Sequence, residues 1–561
     1  MTRLYFHSLL LALLTGFLFK LGGRSVEPAV FEKAVPYPDT AIPICGATQT
    51  GGIPQNILNQ PVTLRTNIGA YPFPTSTRSP KAQAFFEQGM AHLHGYQLVE
   101  AVRSFHEALR HDSTMAMAYV GLSRAYVQME FQPYAAARNA AEQAKALVTY
   151  ASEREKEHID LRFAQLKALE SVGDLKALDE YRQRLKTALK HFPADAELWL
   201  LSGNAYEESA LGRGQGSSPA SIAIYEKVLQ IAPDHPAAHH YLIHAYEGMT
   251  DYEKALYHGE AYARLSPRLP HALHMYAHDL MKTGKVDEAI AQMKAADAIE
   301  RELYESAPYK AEYDWHHGHN IALLALSYQY QGRLKEAEAL ARESYAMGYP
   351  TDTNFLYYRK KSLPELLFVQ GRYQEILPIA QSLIIAKTPA ERLLGHYFLG
   401  LLQLQQQNLS AAQKSHKAAE AQLALIKPVY PTTRLAGFVK PYPKFLAALI
   451  RLHHTTTDAA GLAEIRAFQK AARDQYGPDG WIEALFQLEM IADAALKGPN
   501  TGFAKEAVQV LADHDPAYPG THYLQAKLAQ LNGDRKTADQ QRELAVKGWS
   551  KADKEFTQRI F

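Results

Sequence analysis

Apolar and small residues recur along this chain with a spacing of 34 residues. In the first copy these positions are Ala82, Phe85, Gly89, Ala101, Phe105 and Ala108. In the second copy they are Ala116, Tyr119, Ser123, Ala135 and Asn139. Within a copy the positions lie mostly three or four residues apart, a spacing that puts them on one face of a helix. The pattern therefore predicts a pair of amphipathic helices in each copy.

The same frame fits further segments of the chain. They are Trp199, Gly203, Tyr206, Tyr225 and Pro233; His239, Ile243, Tyr246, Ala255 and Pro267; Leu273, Ala277, Gly284, Ala289 and Ala296; Leu324, Tyr328, Gly332 and Ala337; and Gly533, Ala538 and Ala545. The pattern is weaker at 145–190, 345–390 and 430–515. One helix pair cannot bury its apolar face alone, so the copies are expected to stack on one another.

This order of large, small and aromatic residues, followed by alanine and proline, resembles the tetratricopeptide repeat. The resemblance covers most of residues 82 to 548 and implies an all-α fold, an α-solenoid of stacked helix-turn-helix repeats. Three segments make the chain similar, more narrowly, to exported bacterial tetratricopeptide proteins with a histidine-rich centre. They are His240–Glu247, His271–His278 and Trp549–Asp553.

The chain divides into five predicted regions. Residues 1–25 form a signal peptide or an N-terminal anchor, and residues 26–80, which are rich in proline, form an extended arm or linker. Residues 81–195 hold the N-terminal repeats, 196–350 the central histidine-rich repeats, and 351–561 the degenerate C-terminal repeats. At 561 residues the chain is too long for one compact core, which agrees with a repeat array.

The first residues have the charge order and length of a secretory signal. Arg3 precedes the mostly apolar run Leu9–Phe19, and Lys20 follows it. This predicts an exported protein, periplasmic or anchored to the inner membrane facing the periplasm, and leaves open whether the segment is cleaved. Membrane contact is expected through this segment only.

Charge and cysteine content exclude several classes of function. Lys and Arg number 60 against 59 Asp and Glu, so a net charge of +1 offers no field for nucleic acid. Cys45 is the only cysteine, and neither an intramolecular disulfide nor a thiolate metal site can form. A protein or peptide partner is expected instead.

Histidines are concentrated in the centre of the chain. Of 24 histidines, 11 lie between His235 and His319, where uniform scatter would place roughly four. His240 and His244 stand four residues apart, and His271, His274 and His278 stand at i, i+3 and i+7. On a helix, each set lies on one face.

The resemblance implies where these faces point. In tetratricopeptide arrays, positions two, five, nine and twelve of the first helix face the concave groove. With repeats starting at Pro236 and Pro270, these positions hold most of the central histidines and several polar residues. They are His240, His244, His271, His274, His278 and His319, together with Glu247, Asn204 and Glu207.

Imidazoles from neighbouring helices can converge on one divalent ion such as zinc, copper or nickel. Glu247, Asp279 and Tyr241 are the predicted partners that orient the rings from outside. Two other interpretations stay open: a metal-free groove in which histidines with Arg264 or Lys282 hold an anionic ligand, and purely structural imidazoles. His316 and His317 are expected to cap a helix or close the rim, and we leave them out of the site.

Catalytic signatures are absent from the sequence. There is no His-Glu-x-x-His and no Gly-x-Ser-x-Gly, and the glycine-rich stretch Gly212–Ser218 follows no strand and reads as a loop. The sequence thus favours an exported scaffold or binding protein whose groove binds a divalent metal or an anionic ligand. The alternative is a metal-dependent hydrolase on an α-solenoid, with Glu247 as its base.

Overall fold

All regular secondary structure in the described residues is helical. The computed structural model describes residues 53–129, 134–171, 175–206, 219–347, 357–426, 439–453, 458–474 and 477–561. The signal segment, Cys45, Glu207 and the stretch Gly212–Ser218 lie outside these residues. Among the residues described, no helix combines the length and the hydropathy needed to cross a membrane.

After a single helical turn in the arm, Gln55–Leu58, twenty-five α-helices follow one another along the described chain from Pro80 onwards. In the first half they are α1 (Pro80–His94), α2 (Leu98–His111), α3 (Ala116–Met129), α4 (Ala135–Ala146), α5 (Glu153–Glu170), α6 (Leu175–His191), α7 (Ala196–Asn204), α8 (Pro219–Ile231), α9 (Pro236–Gly248), α10 (Tyr252–Leu265), α11 (Pro270–Lys282), α12 (Val286–Ser306) and α13 (Trp315–Tyr330). In the second half they are α14 (Leu334–Ala346), α15 (Tyr357–Val369), α16 (Tyr373–Ile384), α17 (Pro389–Gln405), α18 (Leu409–Leu425), α19 (Pro441–Leu452), α20 (Ala459–Arg473), α21 (Gly477–Lys497), α22 (Thr501–His514), α23 (Pro519–Leu531), α24 (Arg535–Gly548) and α25 (Lys554–Ile560). Consecutive helices pack as pairs, and the pairs stack on their neighbours. The predicted all-α solenoid is confirmed.

Close approach of helices depends on the small residues of the repeat. The Phe105 ring of α2 lies against Gly89 of α1, where an added Cβ would be 2.5 Å from the ring. Gly121 of α3 meets the same ring from the other side, also at 2.5 Å. Phe105 is fully buried between the two glycines, so one aromatic side chain ties two repeats together.

The described part of the proline-rich arm, residues 53–79, packs against the repeats. Ile57, Val62 and Phe73 of this arm are buried. Its backbone is held at two distant places: Arg103 of α2 donates to the carbonyl of Pro61 at 2.9 Å, and the backbone N–H of Arg268 donates to the carbonyl of Asn67 at 2.8 Å. The arm therefore links the first repeat to the central ones.

C-terminal helices cover the central repeats from another direction. Helix α21 packs against α9 and α11, and the Nζ atom of Lys282 lies 4.5 Å from the centroid of the Trp481 ring. Farther on, the indole N–H of Trp549 donates to the carbonyl of Tyr330 at 3.2 Å. The inner face that the repeats predict as an open groove is therefore enclosed by the chain itself.

Buried histidines outside this central region make the fold sensitive to acid. Burial lowers the pKa of His92 from 6.5 to about 4, with Glu100 opposing this shift and Arg65 adding to it. The folded state thus binds fewer protons than the unfolded state, and stability is lost as the pH falls from about 6.5 through 4. Between pH 7 and pH 4, we expect the free energy of unfolding of His92→Asn to fall by ~3 kcal/mol less than that of the wild type.

Urea unfolding at the two pH values measures this difference. The matched control is a substitution of His191 by asparagine, because His191 is exposed at the end of α6. Equal pH dependence of His92→Asn and the wild type would contradict the prediction.

Candidate metal centre

Helices α9, α11 and α13 carry the central histidines. Pro236 and Pro270 occupy the first turns of α9 and α11, where the missing N–H of proline costs nothing, and the predicted repeat starts are confirmed. Asp314 caps α13 by accepting the N–H of His316. These starts fix the rotation of each helix and turn its histidines towards the neighbouring helices.

The first triad consists of His240, His244 and His271. The Nε2 atom of His240 lies 3.1 Å from Nε2 of His244 and 3.0 Å from Nε2 of His271. His240 and His271 are fully buried, and His244 is 8% exposed. Three imidazole nitrogens thus meet at one point between α9 and α11.

Proton positions in this triad leave lone pairs facing each other. His240 Nδ1 lies 2.9 Å from the carbonyl oxygen of His94, which only accepts, so Nδ1 carries the proton and Nε2 carries a lone pair. His244 Nδ1 faces a carboxylate oxygen of Glu247 at 3.4 Å, which favours the same tautomer. His271 can donate its Nε2 proton to only one of these nitrogens. A cation between the three rings satisfies all of them.

The second triad consists of His274, His278 and His319. The ring centroid of His274 lies 4.4 Å from that of His278 and 4.7 Å from that of His319. Asn320 donates its amide N–H to the carbonyl of Met293 at 3.0 Å, so its oxygen faces Nδ1 of His274 at 2.9 Å and accepts its proton. His274 Nε2 then carries a lone pair, and this buried atom has no hydrogen-bond partner in the described residues.

Both triads offer the geometry of a metal site. In each, one ligand atom per residue lies within 4.8 Å of the other two. Burial lowers the pKa of His240, His271 and His274 well below 6.5, and neighbouring imidazoles lower it further. The rings are therefore neutral at pH 7, which is the form that binds metal.

Glu247 lies between the two triads. Its carboxylate oxygens are 3.4 Å from Nδ1 of His244 and 3.6 Å from Nδ1 of His278. Burial raises the pKa of Glu247, but its contacts with the two histidines outweigh burial and hold the pKa below the usual value. One ionised carboxylate thus faces the outer nitrogen of a histidine from each triad, at distances longer than ordinary hydrogen bonds.

The six predicted metal ligands lie in two separate triads instead of one cluster. His271 of α11 lies with the two histidines of α9, and His319 of α13 completes the second triad. Among the predicted outer partners that the structure describes, Glu247 is the one whose side-chain oxygens face triad imidazoles. The Tyr241 hydroxyl lies 2.6 Å from Nδ1 of His94, and Asn204 accepts a hydrogen bond from Tyr225.

Asp279, the last of those predicted partners, orients no imidazole. Its two oxygens are buried and have no hydrogen-bond partner among the described residues. Burial raises the pKa of Asp279 well above its usual value, and the charge of Glu247 raises it further, so both effects favour the protonated form of Asp279.

One residue near both triads, His316, was left out of the site by the sequence analysis. His316 lies in the first turn of α13, and its ring centroid is 5.0 Å from those of His271 and His274. Its Nδ1 contacts Glu300 of α12, while its buried Nε2 has no partner in the described part of the chain. The aspartate two residues before His316 is a helix-capping signal that places His316 inside α13.

A third group of ligand-type residues, Asp297, Glu300 and His317, is better described as an ion-pair network. His317 Nδ1 lies 3.0 Å from Glu300. Burial lowers the pKa of His317, but hydrogen bonds to Glu300 and Glu343 outweigh burial and raise the pKa to about 9. His317 is thus an imidazolium ion at pH 7, and both its nitrogens carry protons.

Comparisons with known proteins give similarity of fold. No protein-family model matches the chain, and no curated protein matches it. Among solved structures, a tetratricopeptide repeat protein from Parabacteroides merdae is similar at 16% identity over 51% of this chain and 99% of that chain, with a TM-score of 0.34.

Two further solved structures are similar to this chain, each at 14% sequence identity. The human IFIT1 dimer with PPP-AAAA has 14% identity, covers 78% of this chain and 95% of that chain, and gives a TM-score of 0.37. The MamA protein has 14% identity, covers 41% and 97%, and gives a TM-score of 0.21. The chain resembles tetratricopeptide repeat proteins in its stacked helix pairs. The two histidine triads are described from the residues of this chain alone.

Proposed function

We propose that the protein is an α-solenoid scaffold that binds two divalent transition-metal ions, one in each histidine triad. The observation that carries the proposal is the contact of His240 and His244 through two Nε2 atoms at 3.1 Å. Both nitrogens are acceptors in the favoured tautomers, and two lone pairs repel each other in a buried site. A bound ion turns this repulsion into coordination.

The distances and the ligand types indicate which metals fit. Zinc bonds to imidazole nitrogen at ~2.0–2.1 Å, which separates tetrahedral ligands by ~3.3 Å. The Nε2 separations of 3.0 and 3.1 Å in the first triad are within a few tenths of this value. Nitrogen donors without thiolate favour zinc, copper or nickel over calcium or magnesium.

Metal analysis of the full chain, purified without a histidine tag, tests the proposal. We expect two ions per chain after dialysis against a buffer containing zinc, copper or nickel in turn. Protein that binds none of the three metals would refute it.

Substitution of Glu247 tests whether this carboxylate supports both metal sites, because it faces one histidine of each triad. Removing such a partner weakens metal binding by ~10–100-fold, because the ligand ring loses its orientation and basicity. We expect Glu247→Gln to weaken both sites, as measured by competition with a chromophoric chelator.

The matched control is Asp279→Asn. Asp279 follows His278 on α11, and its oxygens bond to no imidazole of the described residues. This variant is expected to bind both ions as the wild type does. Weakening of a single site by Glu247→Gln would contradict the shared role.

A metal-dependent hydrolase is the second candidate. Each triad supplies three protein ligands, and catalytic zinc sites keep three such ligands plus an open position for water. X-ray absorption on the zinc-loaded protein distinguishes the cases, because a fourth protein ligand at both ions would remove this candidate.

We also propose that the protein is exported and binds a protein or peptide partner. Export is supported by the charge order around Leu9–Phe19. Because the triads are enclosed, a partner is expected to bind the outer surfaces of the repeats. Cell fractionation tests the location, and retention of the full-length chain in the cytoplasm would refute export.

A further inference from the structure

A second polar site lies among the N-terminal repeats, away from the triads. A cavity of about 20 Å³ is enclosed by the arm and by helices α1, α3, α5, α6 and α7. Its walls are mostly apolar, with Phe73, Met90 and Val120 among them. Two arginines, Arg124 and Arg162, reach this apolar space.

Arg162 of α5 carries a buried charge, and none of the described carboxylates is its counter-ion. Its side chain is 3% exposed. It donates to the hydroxyl of Ser123 at 2.8 Å, to the carbonyl of Ser123 at 2.9 Å and to the side-chain oxygen of Gln165 at 2.7 Å. All three acceptors are neutral, and a guanidinium has five N–H bonds, so two remain.

The carboxylates near the cavity are engaged by other groups. Glu197 pairs with Arg124 and, at 3.1 Å, with His94. Asp195 accepts a hydrogen bond from His158 at 2.9 Å. Within the part of the chain that the structure describes, no carboxylate forms an ion pair with Arg162, and the cavity keeps an excess of one positive charge.

Burial of this charge is unfavourable in the absence of an anion. Burial, together with the nearby charge of Arg124, lowers the pKa of Arg162 to about 9. The guanidinium remains charged at pH 7, and an isolated charge in an apolar site destabilises the folded state unless it is paired.

We infer that this cavity binds the carboxylate group of a small monovalent anion, with Arg162 as its counter-ion. The planar fork of a guanidinium matches a carboxylate through two parallel N–H bonds, and Arg162 has two N–H bonds left. A cavity of about 20 Å³ accommodates a group of this size and excludes a bulky ligand. The inference rests on none of the triad residues, so it stands or falls independently of metal binding.

The unfolding midpoint of the full chain tests this site when sodium formate replaces sodium chloride at constant ionic strength, because sulfate would raise the midpoint of any folded protein. We expect the wild-type midpoint to rise and saturate with formate. A parallel titration with N-acetylglycine identifies the kind of ligand. If the site binds a free small acid, only formate raises the midpoint; if it binds the carboxylate end of a larger molecule, both compounds raise it.

Two variants locate the effect. Arg162→Gln removes the charge and is expected to weaken the formate response at least tenfold. Val120→Ile keeps the charge but adds a methylene to the cavity wall, and it is expected to abolish the response even if Arg162→Gln fails to fold. The control is Arg184→Gln, at an exposed position of α6, which is expected to respond as the wild type does.

Two outcomes would overturn the inference. A wild-type midpoint that does not depend on formate would mean that the cavity holds water only. An unchanged response in Arg162→Gln or Val120→Ile would mean that formate binds elsewhere.

Discussion

Replacing His240 and His274 together by alanine is expected to reduce the bound metal from two ions per chain to none. Each triad has three ligands, and the double variant removes one from each. A site with two imidazoles loses more affinity than the ~10–100-fold that follows removal of an outer partner, because a metal–ligand bond itself is lost. After dialysis, neither site is expected to retain its ion.

Single substitutions separate the two sites. We expect His240→Ala and His274→Ala each to retain one ion, with the intact triad occupied. A suitable control is His258→Asn, since His258 lies in the same histidine-rich region but contacts His239 instead of a triad. If either single variant lost both ions, the two triads would have to be one site, and the division would be wrong.

The number of sites follows from the distance between the histidines along their helix, which can be calculated from their spacing in the sequence. A helix rises 1.5 Å per residue, so His271 and His278 lie ~10 Å apart along α11. Over that distance the two rings reach different neighbours: Nε2 of His271 lies 3.0 Å from Nε2 of His240, and the ring centroid of His278 lies 4.4 Å from that of His274. The His271 side chain therefore groups with the histidines of α9, and the His278 side chain groups with His319 of α13. The expectation of a shared ion considered the direction of each side chain and left out the distance along the helix.

Enclosure of the site could not be predicted from the repeats. A repeat pattern reports contacts between neighbouring helices, whereas α21 meets α9 and α11 from more than 190 residues away. The carbonyl of His94, which fixes the tautomer of His240, also comes from 146 residues away. Local periodicity identified the helices and the faces of the histidines, and long-range packing determined their burial and their protons.

Removal of metal is expected to lower the free energy of unfolding substantially. A ligand that binds only the folded state stabilises it by ~4 kcal/mol when its free concentration is about 1,000 times Kd. Two independent sites double this contribution, and the stripped protein must also keep neutral imidazoles 3.0–3.1 Å apart in a buried space. Chemical unfolding of chelator-stripped and zinc-loaded protein measures the difference.

The ion that restores stability tests the ligand type. Zinc, copper or nickel are expected to restore the unfolding midpoint, and magnesium is not, because magnesium prefers oxygen ligands and six-fold geometry. The His240→Ala/His274→Ala protein is expected to show no response to any of them. If stripping left the wild-type midpoint unchanged, the triads would hold no metal in the folded protein, and their imidazoles would serve packing alone. Equal recovery with magnesium would instead point to carboxylates such as Glu247 as the ligands, and His274→Ala alone would then respond as fully as the wild type.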